Sequence, residues 1–210
     1  MPRRPFLYFD MGNVLLFYSH ERMASQMAAV VGVAPELAWK ILFEGDLGIR
    51  HEEGRISEDE FLEEFCRSAA VPNIPAIDRT ALEQAASDIF WLHVPLVAIT
   101  GRLHAAGYRL GILSNTNRSH WRFVSSRFSY LNTMFHVHAM SFDIHKMKPD
   151  PFIYVEAARL AGVDPGDVFY TDDRPENVAG AREAGFEAVL FTSPTALLRD
   201  LQSRGIAVNF

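Results

Sequence analysis

Apolar residues along this chain follow two rhythms. Residues 6–9, Phe-Leu-Tyr-Phe, form a short unbroken apolar run that stops at Asp10; Gly12 and Asn13 follow, and a second run extends from Val14 to Phe17. A run of this length, aromatic and closed by turn residues, predicts a buried strand over 6–10. Similar runs at 109–114, 135–140, 168–171 and 188–191 predict four more strands. Between them the spacing is helical. Leu96, Ile99 and Leu103 lead to Gly107, and Trp121 and Val124 mark another helix. A third opens at Asp150-Pro151 and stops at Gly162, a fourth runs from Pro175 to Gly185, and the last covers about 195–204. Pro near a helix start and Gly just past its end match the asymmetry of helix termini.

The stretch between His20 and Phe90 is different. Met23, Met27, Val30 and Val31 share one helical face, Leu37, Ile41 and Leu42 follow Pro35, Ser57 and Glu60 have the spacing of a capping box, and Asp78 precedes Leu82, Ala85 and Ala86. About 70 helical residues directly after one strand do not extend a sheet. They predict an all-helical domain over 18–91, inserted into an α/β core made of 1–17 and 92–210. Strands alternating with helices make that core a Rossmann-like parallel sheet with helices on both faces.

Composition narrows the class. Of 210 residues 49% are hydrophobic, 16 of them Phe, which marks a folded globular chain. Acidic residues outnumber basic ones 26 to 20 with no basic run, which argues against nucleic acid as a partner. Cys66 is the only cysteine and lies on the apolar stripe Phe61, Leu62, Phe65, so a small core side chain is expected. No run approaches the length of a membrane span, and the first apolar segment is too short for a signal peptide. The expectation is a cytoplasmic monomer or homodimer.

Three predicted strands end on polar groups: Asp10, Ser114-Asn115 and Asp172-Asp173. Lys148 follows a fourth. In a parallel sheet these ends share one edge. Carboxylates gathered there invite a hard divalent cation, while the lysine, hydroxyl and amide offer donors to an anion. Taken singly, each residue has a plainer reading. Asp10 fits a solvated turn, Asp173 a helix cap, Ser114-Asn115 a turn, and Lys148 the surface. His136 and His138 share a strand face but are too few for zinc. Trp39, Trp91 and Trp121 read as packing residues.

The segments FDMGNVL, ILSNTN, MKPDPFIY and VFYTDDRPENVAGAREAG, in this order, resemble the four motifs of the haloacid dehalogenase superfamily of hydrolases. The branch resembled has a helical cap after the first motif, and the likeness extends to its bacterial sugar-phosphatase-like group. That resemblance implies a Mg²⁺-dependent phosphatase acting on a small phosphate ester, a sugar phosphate, through an aspartyl-phosphate. It makes Asp10 the nucleophile. Asp10, the Gly12 carbonyl and Asp173 become metal ligands, with Asp172 near the metal's water shell. Ser114, Asn115 and Lys148 become the phosphate-binding groups, Lys148 also neutralises charge at Asp10, and Asn177 is a supporting hydrogen-bonding residue. A metal-independent 2-haloacid dehalogenase and a catalytically weak phospho-ligand-binding protein are the alternatives.

One position departs from the family pattern. Most of its phosphatases carry Asp two residues after the nucleophile as general acid and base, and here that position is Gly12. General acid–base catalysis is worth about 10²–10⁴-fold. The loss predicts slow turnover of ordinary alkyl phosphates and better turnover of substrates with good leaving groups. His51, Glu52 and His20 of the helical insert are replacement candidates, each with a solvated surface role as its ordinary reading.

Overall fold

The computed structural model describes residues 4–206; residues 1–3 and 207–210, included in the expected core, lie outside the described residues. Seven strands occur: β1 Phe6–Phe9, β2 Leu16–Tyr18, β3 Phe90–Leu92, β4 Leu110–Ser114, β5 Val137–Met140, β6 Val168–Asp172 and β7 Glu187–Leu190. Five form one sheet in the order β5-β4-β1-β6-β7, every neighbouring pair parallel. All five sit where the apolar runs place them. The strand expected over 135–140 begins at Val137, because the His136 ring turns back and its Nδ1 accepts the Leu110 N–H at 3.1 Å.

Both sheet faces are covered. Leu7, Phe9, Leu110 and Ile112 face the helices Val94–Ala105 and Pro194–Ser203, whose Leu96, Ile99, Leu103, Leu197 and Leu201 are buried with them. Phe6, Tyr8, Leu113 and Tyr170 face the helices Pro151–Ala161 and Pro175–Glu183 through Ile153, Tyr154, Ala157 and Val178. The alternation follows from the two-residue period of a strand. Fully burying a Leu or Phe side chain is worth about 1.5–3 kcal/mol, so β1 is fixed by transfer energy and not by the charges at its end.

Between β2 and β3 lie the helices His20–Val31, Pro35–Trp39, Leu47–Glu52, Glu58–Ser68 and Arg79–Ser87, with a π-helical turn at Lys40–Glu44. They pack chiefly on one another and meet the sheet domain at the helices Arg118–Arg127 and Ser141–Ile144. Ser57 and Glu60 form the capping box reciprocally. Cys66 is buried on its apolar stripe. The β2–β3 ribbon was not legible in the sequence. Each strand is three residues long and they pair antiparallel, Leu16 with Leu92 and Tyr18 with Phe90, which is too short to show a period. Among the described residues no single helix is long and apolar enough to cross a membrane.

Candidate active site

Asp10 follows the central strand, and its N–H continues the ladder to the Thr171 carbonyl at 2.9 Å. The chain then turns tightly: the Leu15 and Leu16 N–H groups both reach the Met11 carbonyl, at 3.0 and 2.9 Å. Asn13 takes a left-handed conformation, φ 55°, which asparagine tolerates better than most residues. Its side chain donates to the Asp173 carboxylate at 3.0 Å.

Lys148 is the hub. Its ammonium is buried and donates to Asp10 Oδ1 at 2.7 Å, Asp172 Oδ2 at 2.7 Å, the Leu113 carbonyl at 3.0 Å and the Tyr170 hydroxyl at 3.0 Å. Burial opposes its charge, but Asp10 and Asp172 outweigh burial and raise its pKa. Burial pushes the Asp10 carboxyl up to about 7, with Lys148 opposing and the Asp172 and Asp173 charges adding to the rise. At Asp172 burial is overcome by Lys148 and by hydrogen bonds, so its carboxyl is held below the usual range.

The eight expected site residues converge. Asp10, Gly12, Ser114, Asn115, Lys148, Asp173 and Asn177 line one cavity of about 130 Å³, together with Tyr18, His20, Glu52, His120 and Arg174. Asp172 is fully enclosed: Lys148, the Tyr170 hydroxyl, Asn177 Nδ2 and the Arg174 N–H all donate to it. It still offers an oxygen within 4.8 Å of oxygens of Asp10 and Asp173. The Asn115 side-chain amide also clamps the Lys148 backbone, donating one N–H to its carbonyl at 3.0 Å and accepting its N–H at 2.7 Å, and the amide group carries a second N–H. A lysine that must reach inward needs its backbone fixed, and this amide is the group within reach.

Of the three candidates in the helical insert, Glu52 and His20 line the cavity. His51 does not; it is buried, stacked on Phe61 at 4.2 Å, with Nε2 3.4 Å from Glu58. Tyr18, Tyr170 and Arg174 also belong to the site, and the sequence carries a signal for the last two. Tyr170 precedes Asp172 by two on a strand and so shares its face. Arg174 follows the paired acids directly, and its guanidinium charge acts on the Tyr18 hydroxyl and on Asp173.

The cluster suits a cation. Asp10 Oδ1 is held by Lys148 and Asp173 Oδ2 by Asn13, and the Asp10 and Asp173 carboxylates approach each other at the cavity wall. Two hard oxygen donors on an open cavity are the protein share of a typical Mg²⁺ site.

A parallel sheet with these groups at its C-terminal edge, beneath a helical insertion, defines an α/β protein with a carboxylate-centred site. A haloacid dehalogenase-like hydrolase profile matches residues 8–185. The chain therefore belongs to the haloacid dehalogenase-like hydrolase family. It is similar in fold to a family enzyme of Bacteroides thetaiotaomicron solved with magnesium and inorganic phosphate: TM-score 0.78, 23% identity, covering 90% of this chain and 94% of that one. A family hydrolase of Porphyromonas gingivalis gives TM-score 0.77 at 25% identity, over 95% and 98% of the two chains. A segment of 64 residues is 42% identical to a flavin mononucleotide hydrolase of Arabidopsis thaliana, which is 30% of this chain and about a quarter, 26%, of that protein.

Proposed function

We propose that the protein is a Mg²⁺-dependent phosphatase of a small phosphorylated metabolite, a sugar phosphate, working through an aspartyl-phosphate on Asp10. The observation that carries this reading is the Lys148 ammonium 2.7 Å from Asp10 Oδ1, at a cavity where the Asp10 and Asp173 oxygens converge. Lys148 fixes one Asp10 oxygen and leaves the other to approach phosphorus. Phosphoryl transfer is mostly positioning and charge neutralisation, and both are built in. Asp10, the Gly12 carbonyl and Asp173 would hold the cation; bound, it supplies charge neutralisation for the phosphate and the attacking carboxylate. Ser114 and Asn115, at the end of β4, and Lys148 receive phosphate oxygens. Asn177 supports the site by fixing Asp172. The magnesium and phosphate in the Bacteroides relative and the phosphomonoester substrate named for the Arabidopsis relative support the same reading.

In this reading the helical insert, residues 18–91, is the cap over a core of 1–17 and 92–210, and the helices between β2 and β3 support the helical-cap, sugar-phosphatase-like branch. The expected partner is a small phosphate ester and the expected setting the cytoplasm. The test is phosphate release across a metabolite panel with and without Mg²⁺, alongside Asp10→Asn. Release that needs Mg²⁺ and disappears in the variant supports the reading. Metal-free chloride release from a 2-haloacid would replace it with a dehalogenase. Phosphate-ester binding without turnover would replace it with a sensor.

A further inference from the structure

The residue two after Asp10 is a glycine for a steric reason. A Cβ at position 12 would lie 2.8 Å from Tyr18 Cε1 and 3.3 Å from Cδ1. The tyrosine ring occupies the space a side chain there would need, and its hydroxyl lies in the field of the Arg174 charge. The proton donor for the leaving group therefore has to come from another wall of the same cavity.

Three carboxylates line that cavity: Asp10, Asp173 and Glu52. Lys148 holds the first and Asn13 the second. The Glu52 carboxylate takes no hydrogen bond from any described residue; the charges it feels are Arg174 and Lys148. It is the last residue of the helix Leu47–Glu52, and its backbone is pinned to the core. The Ser141 hydroxyl lies 2.7 Å from the Glu52 carbonyl and 2.8 Å from the Thr116 carbonyl, and accepts the Thr116 N–H at 2.9 Å. The His145 ring meets the Glu53 carbonyl at 2.9 Å. Gly54, φ 63°, lets the chain lie directly against the Phe142 carbonyl, where a Cβ would collide. The helix end that carries Glu52 is thus docked on the core, and Glu52 lines the cavity that holds Asp10.

We propose that the Glu52 carboxyl group is the general acid and base of this site, taking the role that a side chain at position 12 cannot take, so that esters of unactivated alcohols are turned over. The inference rests on the phosphatase reading above. As Asp10 attacks phosphorus and the bond to the ester oxygen breaks, the Glu52 carboxylic acid gives its proton to the departing alkoxide, which leaves as the alcohol. The Glu52 carboxylate then takes a proton from water as that water attacks the phosphorus of phospho-Asp10. The bond to the Asp10 oxygen breaks, inorganic phosphate leaves, and Glu52 is again protonated.

The surroundings suit both halves. Burial lifts the Glu52 carboxyl to about 7, against the pull of Arg174 and Lys148, so both protonation states are populated near neutrality. The other titratable groups on the cavity are Asp10, Asp173, Tyr18, His20 and His120. His20 lines the same cavity but burial lowers its pKa and its ring is stacked on Phe43 at 4.3 Å. Burial therefore disfavours the protonated ring that would be needed to give up a proton.

The test compares wild type and Glu52→Gln under single-turnover conditions with Mg²⁺, using glycerol 2-phosphate and p-nitrophenyl phosphate. Nitrophenolate leaves without a proton, so its first-turnover burst should stay within about threefold, while glycerol release should fall by about 10²–10⁴-fold. Phosphate release after the burst should slow in the variant, because the water-activating base is gone. Equal losses on both esters, or none on either, overturn the inference. If the variant melts early, the wild-type pH profile decides. Glycerol release should decline above about pH 7 while the nitrophenol burst does not; parallel profiles overturn the inference. A wild type that hydrolyses p-nitrophenyl phosphate and no alkyl ester overturns it and leaves the phosphatase reading standing. A wild type that hydrolyses neither overturns both.

Discussion

Replacing Lys148 by methionine separates a buried hub from a surface lysine. The ammonium is enclosed and touches Asp10 and Asp172 at 2.7 Å each, with the lysine side chain 1% exposed and that of Asp172 0%. Met keeps the stem and removes the charge. It strands two carboxylates near one another, one of them with no access to water. Breaking a buried pair by removing one partner costs about 3–5 kcal/mol. At roughly 2–4 °C per kcal/mol for a chain of this size, the melting midpoint should drop by about 6–20 °C. An exposed lysine would change stability by only about 0.5 kcal/mol either way. The assay is thermal and urea unfolding in a chelator, so that no added cation compensates. The double variant Lys148→Met/Asp172→Asn should recover part of the loss, because it removes the stranded charge while Asn177, Arg174 and Tyr170 keep a polar partner. A single variant as stable as wild type, or a double variant less stable than the single, would refute the account of Lys148 as the neutralising centre.

Three further outcomes follow from other parts of the site. Gly12→Asp should not restore a proton donor: its Cβ meets the Tyr18 ring at 2.8 Å, so overpacking should cost about 1–3 kcal/mol with no gain in alkyl-ester turnover, checked by urea unfolding and phosphate release. Gly54→Ala adds a collision with the Phe142 carbonyl to a φ of 63°; amide exchange around residues 47–57 should accelerate, and unchanged exchange would refute the docking. His120 is pushed down to about 3 by burial, from an ordinary 6.5, and its neutral ring takes an Asn117 amide donor at Nδ1 and reaches the Ala86 carbonyl through Nε2. Only the unfolded chain binds its proton below about pH 6.5, so stability present at higher pH is lost as pH falls; between about pH 7.5 and 5.5 the loss is about 1.4 kcal/mol. Asp10 and Glu52, both raised to about 7, titrate in the same window with the opposite sign, so the loss is read as a difference: urea unfolding should show wild type losing that much stability relative to His120→Gln between the two pH values, and equal slopes would refute it.

How much of this was legible depended on range. Every sheet strand shows as an apolar run because burial on both faces needs one. The polar groups at three strand ends show because an aspartate breaking such a run is conspicuous, and parallel topology then carries Asp10, Ser114 and Asp172 to one edge. The β2–β3 ribbon failed because pairing between residues 16–18 and 90–92 leaves no trace within either three-residue segment. The clamp that the Asn115 amide places on the Lys148 backbone, 33 positions away, leaves no trace in either local segment. Glu52 was one of three indistinguishable candidates, since which of the neighbours His51 and Glu52 turns toward Asp10 depends on how the helix end docks on Ser141. His51 goes into the insert's own core against Phe61 and Glu58 instead.

The adjacent acids Asp172 and Asp173 show how a pair that looks redundant divides its work. Successive side chains on an extended segment point apart. Asp172, the last residue of β6, therefore turns with Tyr170 toward Lys148, while Asp173, one step past the strand, reaches the Asn13 amide at the cavity wall. With the one Lys148 ammonium shared between Asp10 and Asp172, the three clustered carboxylates outnumber it by two charges, a deficit of the size a divalent cation fills. Were Asp172 absent, the Lys148 charge would go wholly to Asp10 and the demand for a cation would weaken. The buried acid thus sets the charge of the open one, and the cation requirement comes from the whole constellation and not from the two ligands alone.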